Sequence, residues 1–173
     1  MNTKRITYAG ALAALYVVLT YAQNWIFPGS TSMAIQMRLS EALCVLAFFT
    51  PAAIPGLTVG CLLYNLSWAQ ALPFDFLVGS LATLLATFFM WKLRHVRLFR
   101  LPLPGLLMPA LFNAPLVGWE LAFCLGENGF TMPLFLLNAL YVFLGEAIVL
   151  LVPGTALYLA LSARNMESRL FPA

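Results

Sequence analysis

Four carboxylates interrupt otherwise apolar stretches of this chain: Glu41, Asp75, Glu120 and Glu146. Arg38, Asn65, Asn113 and Asn138 accompany them. A carboxylate accepts neighbouring N–H donors in pairs, an amide both donates and accepts, and a guanidinium only donates. Two acids held together can also serve acid–base chemistry. An ionised group inside a bilayer is costly, and it persists only with a partner, a water-filled cavity or a ligand. The pattern points to a polytopic membrane protein with a buried polar pocket, and therefore to binding or transport.

The elements that must position these groups are apolar spans. The chain has 173 residues, 62% hydrophobic and 9% charged, whereas a soluble domain carries about 25% charged residues. Apolar stretches near the bilayer-spanning length recur from end to end. Six spans are expected, at approximately 6–26, 34–50, 53–71, 75–92, 103–125 and 133–162. Their punctuation is Pro28-Gly29-Ser30-Thr31-Ser32, Thr50-Pro51, Leu72-Pro73, Pro102 with Pro104, and Gly126-Glu127-Asn128-Gly129. Pro153-Gly154 should kink the last span. The expected fold is all-α, a single membrane domain over residues 1–173 with six transmembrane helices.

Basic residues set the orientation. Lys4 and Arg5 precede the first span, and Arg164 and Arg169 follow the last. Lys92, Arg94, His95, Arg97 and Arg100 crowd one connector. By the positive-inside tendency both termini and that connector are cytoplasmic. The connector suits anionic lipid headgroups or a cytoplasmic partner better than nucleic acid. Lys4 and Arg5 before an apolar run also resemble a signal peptide, but the run is long and lacks a small-residue cleavage site, so a retained helix is expected.

On these spans Arg38 and Glu41 share one face at i,i+3 and could form an ion pair. Asn65, Asp75, Asn113, Glu120, Asn138 and Glu146 fall mainly in the outer half of the bilayer, with Gly79, Ser80 and Thr83 below Asp75. Interhelical hydrogen bonding would explain single amides and hydroxyls. It explains four acids against Arg38 less well, and a shared ligand pocket accounts for them together. On the first helix Ala9/Ala13 and Gly10/Ala14 are small pairs at i,i+4, suited to close helix packing within the chain or against a partner.

Several chemistries lack their residues. The sequence holds no phosphate-binding loop of the GxxxxGK[ST] kind, no HExxH and no GxSxG. Cys44, Cys61 and Cys124 fit no metal or redox spacing and read as small buried filler. No metal or cofactor is expected. An intramembrane enzyme using two of the acids, and an accessory protein whose polar groups only fix packing, stand as the other readings.

Ala9–Tyr16 (AGALAALY), Arg38–Leu46 (RLSEALCVL), Thr50–Cys61 (TPAAIPGLTVGC), Asp75–Leu85 (DFLVGSLATLL), Asn113–Gly118 and Gly145-Glu146 together resemble the S components of energy-coupling factor (ECF) transporters, in particular the queuosine-precursor (QueT) family. The resemblance implies a multi-pass protein of the bacterial plasma membrane that is not an enzyme. It implies a substrate-binding subunit that captures a 7-deazaguanine, preQ0 or preQ1, from outside. It further implies a membrane scaffold subunit and two ATPase subunits, with the Ala9/Ala13 face as their contact. An S component for another vitamin is the nearest alternative. A guanine-like edge would pair with a carboxylate, its oxygen with an Asn or Arg38, and its face with Trp25, Trp68, Trp119 or Tyr141.

Overall fold

The computed structural model describes residues 3–30, 37–69, 71–126 and 129–163. Its helices are α1 (Thr3–Ile26), a 3-10 helix (Leu39–Phe48), α2 (Ala53–Ser67), α3 (Asp75–Lys92), α4 (Leu103–Leu106), α5 (Met108–Leu125), α6 (Met132–Val149) and α7 (Thr155–Ala163). Among the described residues every regular element is helical, and two isolated backbone bridges tie Leu98 to Leu101 and Pro102. The expected all-α class holds. Four stretches are long and apolar enough to cross a membrane: Thr3–Ile26, Asp75–Lys92, Leu103–Leu125 and Met132–Ala163.

The second expected span, 34–50, is corrected in kind. Residues 34–36 and the Thr31-Ser32 end of the first turn cluster lie outside the described residues, as do Glu127, Asn128, Arg164 and Arg169. The part that is described is a ten-residue 3-10 helix, about 20 Å long at that helix's rise. Runs of this length are uncommon, because residues three apart eclipse one another. Here the eclipsed register is used: the Cys44 thiol donates to Glu41 Oε2, 3.2 Å away and three residues back. The third span is also shorter than expected, ending at Ser67 and not at residue 71.

Apolar packing places this short helix at the centre. It touches α1, α2, α3, α6, α7 and the turn before α7, and every residue from Ser40 to Phe48 is buried. Around it the neighbouring pairs are α1 with α2, α2 with α3, α3 with α5, and α5 with α6. Between α6 and α7, Leu150–Gly154 widens into a π-helical turn that contains Pro153. A proline lacks the N–H of a regular α-turn, so the bend falls at the residues expected.

The α1–α2 contact is backbone against backbone. A Cβ built on Gly56 would stand 2.7 Å from the Ala9 carbonyl oxygen, and one on Gly60 would stand 2.9 Å from that of Ala13. The Ala9/Ala13 pair expected to meet a partner subunit therefore faces α2 of its own chain. Gly10 and Ala14, the other small pair, are exposed, and nothing lies within 4 Å of a Cβ on Gly10.

Candidate functional site

Helical spacing brings one polar row from each of five elements into the same space. Arg38 and Glu41 come from the start of the 3-10 helix, and Cys61 comes from α2. The i,i+4 series Asp75, Gly79 and Thr83 comes from α3, Asn113 and Val117 from α5, and Val142 and Glu146 from α6. These residues line a narrow cavity with about 10 Å3 of free space, well below the size of small-molecule sites and enough for about one water molecule.

Glu41 is nearly inaccessible and is held by two donors. The Tyr16 hydroxyl donates to Oε1 at 2.6 Å, and Cys44 takes Oε2. A buried carboxylate without donors would be strongly unfavourable. Tyr16 was not among the residues expected at the site. Its signal was a tyrosine hydroxyl midway along the apolar first span, which must find a partner once buried.

Arg38 is buried beside this carboxylate, yet no ion pair joins it to an acid among the described residues; its partners are neutral. Nη1 donates to Asn65 Oδ1 at 3.4 Å, the guanidinium lies 5.9 Å from the Tyr64 ring centroid, and Nε has no partner. The i,i+3 pairing expected from an α-helix fails because Arg38 has extended backbone ahead of the 3-10 helix. Asn65 relays the contact onward by donating to the Asp75 carbonyl oxygen at 2.8 Å. Asp75 Oδ2 accepts the Leu72 N–H at 2.8 Å and holds the turn before α3.

Gly79 makes this junction possible. A Cβ there would stand 2.7 Å from Asn65 Nδ2 and 3.9 Å from Arg38 Nη1. A methyl there would crowd the Asn65 amide while only touching Arg38.

On the far wall Glu146 is buried next to Asn113 and within the field of Glu41 and Arg38. Its Oε2 has no hydrogen-bond partner. Glu120 is fully buried one turn beyond Val117 on α5. Neither of its oxygens has a hydrogen bond of ordinary geometry, and its nearest charged influences are Asp75 and Arg38. It adjoins the cavity without lining it. Asn138 is half-buried on α6 and does not line it.

The aromatic expectations fare differently. Trp25 is 92% exposed, and Trp119 is 45% exposed and stacks on Phe123. Neither they nor Tyr141 line the cavity. Trp68 packs instead in a cluster with Tyr21 and Tyr64. Tyr64, not foreseen, carries the face that meets Arg38.

Three carboxylates, one guanidinium and one amide thus share an enclosed space, with a fourth carboxylate behind it. With Glu120 counted, three carboxylate oxygens in this region lack a donor against one guanidinium nitrogen lacking an acceptor, so it suits a small guest rich in N–H groups or carrying positive charge. Among the described residues no group of three or more His, Cys, Asp or Glu has the arrangement of a metal site.

Residues 6–163 match the model of the family described as QueT transporter. Over 87 residues the chain is 38% identical to the queuosine precursor transporter QueT of Lactococcus lactis subsp. cremoris (strain MG1363), covering 48% of this chain and 47% of that protein. The matched stretch therefore spans about half the length of that relative. No solved structure matches the chain.

Proposed function

The chain belongs to the QueT transporter family, and on that premise we propose that it is the substrate-binding membrane subunit of an ECF-type importer. It captures a 7-deazaguanine queuosine precursor, preQ0 or preQ1, from outside a bacterial plasma membrane. A membrane scaffold subunit and two ATPase subunits then drive delivery inward. The chain crosses the bilayer six times as one domain, with both termini cytoplasmic. The 3-10 helix and the 15-residue α2 serve as the shorter passes.

The observation that carries this reading is the meeting of Glu41, Asp75, Glu146, Arg38 and Asn113 around one cavity. The Glu146 carboxylate, whose Oε2 has no other donor, accepts the paired N–H groups of a guanine-like edge through its two oxygens. Asn113 or Arg38 donates to the ring oxygen. Asp75 with Glu120 balances the aminomethyl cation of preQ1. Asn65 positions Arg38 and reaches the guest through it, while Asn138 sits at the margin.

The narrow core requires an opening before a purine-sized guest enters. The 3-10 helix is the element suited to yield, because its hydrogen bonds are poorer than those of its α-helical neighbours. Calorimetric titration of the purified chain with preQ1, preQ0, guanine and riboflavin tests the proposal. Saturable binding of the 7-deazaguanines alone is expected. Equal response to riboflavin, or none to either deazaguanine, would sink it.

A further inference from the structure

At the other end of the bundle lies a second concavity, of about 420 Å3, with opposite chemistry. Phe48, Trp91 and Tyr158 form its walls, and Arg94, His95 and Arg97 stand around it. No carboxylate lines it among the described residues; Glu41, Asp75, Glu120 and Glu146 belong to the polar cavity region.

The cationic rim is partly built in place. The Arg94 guanidinium lies 3.8 Å from the Trp91 ring centroid, and its Nη1 donates to the Trp91 carbonyl oxygen at 2.8 Å. Stacking of this kind holds a guanidinium while leaving other N–H donors free. Tyr158 is fixed between Phe48 and Phe49, at 5.7 and 5.5 Å between centroids.

The adjoining turn adds an apolar contact. Leu98 and Leu101 exchange backbone hydrogen bonds of 2.8 and 3.1 Å around Phe99 and Arg100. Both central residues have positive φ, 50° and 66°, in a turn that favours Asn-Gly. A phenylalanine and an arginine held in this strained geometry leave Phe99 83% exposed, beside exposed Val96 and Leu98.

We propose that this cleft binds the phosphate headgroup of an anionic phospholipid. Arg94, Arg97 and His95 meet the phosphate, and Val96, Leu98 and Phe99 meet the first acyl carbons. Cationic and apolar groups side by side suit an amphiphile, whereas a free phosphate needs only the first set. The inference rests on the chain being a membrane protein and is independent of its cargo.

The test uses the full chain in neutral detergent. Trp91 fluorescence is followed while dioctanoyl-phosphatidylglycerol, dioctanoyl-phosphatidylcholine or inorganic phosphate is added, and W91F identifies the part of the signal due to the cleft. Saturation by the glycerol lipid is expected, at least about tenfold tighter than by the choline lipid. R97Q should weaken it about fivefold and R94Q/R97Q about 25-fold. R97Q alters a side chain with no hydrogen bond of its own among the described residues, so it reads the site even where the double variant fails to fold. Equal affinity for both lipids, an unchanged R97Q, or the same response to inorganic phosphate would overturn the assignment. Deazaguanine affinity should stay unchanged in R97Q, which separates failure here from failure of the cargo reading.

Discussion

Helix α3 connects two regions of opposite character, about 27 Å apart by the rise of its 18 residues. At its start, Asp75 and Gly79 border a narrow enclosed cavity with three acids and one buried cation on its walls. At its finish, Trp91 and Arg94 border a wide cleft ringed by cations. The enclosed acids require donors, so Tyr16 from α1 and Cys44 from the same 3-10 helix close on Glu41, and Asn113 from α5 stands beside Glu146. The cations of the open cleft are more exposed and need no such network. Enclosure, more than charge itself, sets how much surrounding structure a polar group demands.

The largest effect expected from breaking this contrast is at Gly79. Gly79→Val drives a side chain into Asn65 and Arg38 and should lower deazaguanine affinity about 100-fold, the upper part of the overpacking range. Ser162→Val on the exposed cleft should leave it unchanged. Calorimetry on both variants, with folding checked by circular dichroism, decides between them; comparable losses would erase the distinction. Next comes Glu146→Gln, which exchanges one acceptor for a donor and should weaken binding about 10- to 100-fold, as loss of a charged hydrogen bond does. His95→Gln at the other end should leave the same isotherm intact.

Tyr16→Phe should act on the fold before it acts on the ligand. Losing the donor to Glu41 Oε1 should lower stability by about 1–3 kcal/mol, read as a lower unfolding midpoint without ligand. No change would mean that Glu41 is satisfied otherwise. The smallest effect is expected at Gly10→Ala, which meets open space and should gain up to about 1 kcal/mol from helix propensity. Gly56→Ala, against the Ala9 carbonyl, should destabilise the same helix pair. Equal responses would contradict the assignment of faces on α1.

Much of the fold was legible along the chain. Long apolar runs bounded by Pro and Gly gave α1, α3, the α4–α5 stretch and the α6–α7 stretch close to their observed limits, and Pro153 lies in its bend. The second span was not readable as a 3-10 helix. Hydrophobicity marks burial but carries no hydrogen-bond register, and burial on all sides removes the amphipathic period that would show it.

At the site, acids and amides in apolar runs marked Arg38, Glu41, Asp75, Asn113 and Glu146 as cavity-lining residues, with Asn65 and Glu120 just behind. Asn138 stood out equally and lies aside, since an i,i+8 separation from Glu146 puts it two turns along α6. Tyr16, Cys44 and Tyr64 were missed, because each looks like ordinary apolar filling until the group it serves is known. Ala9 and Ala13 were rightly seen as a close-packing face, but which helix fills such a face is a matter of the whole chain.

By itself the sequence determined that this protein is helical, apolar enough for a bilayer, acidic within its spans and basic in one connector. Those properties follow from composition and from local spacing, which act over a turn or two. Tertiary structure alone decided that Arg38 would bond Asn65 in place of Glu41, that Gly79 would leave room for that junction, and that Ala9 and Ala13 would be spent on α2. Each depends on distances between helices far apart in the chain, and these are set by the simultaneous packing of all the helices around Leu39–Phe48.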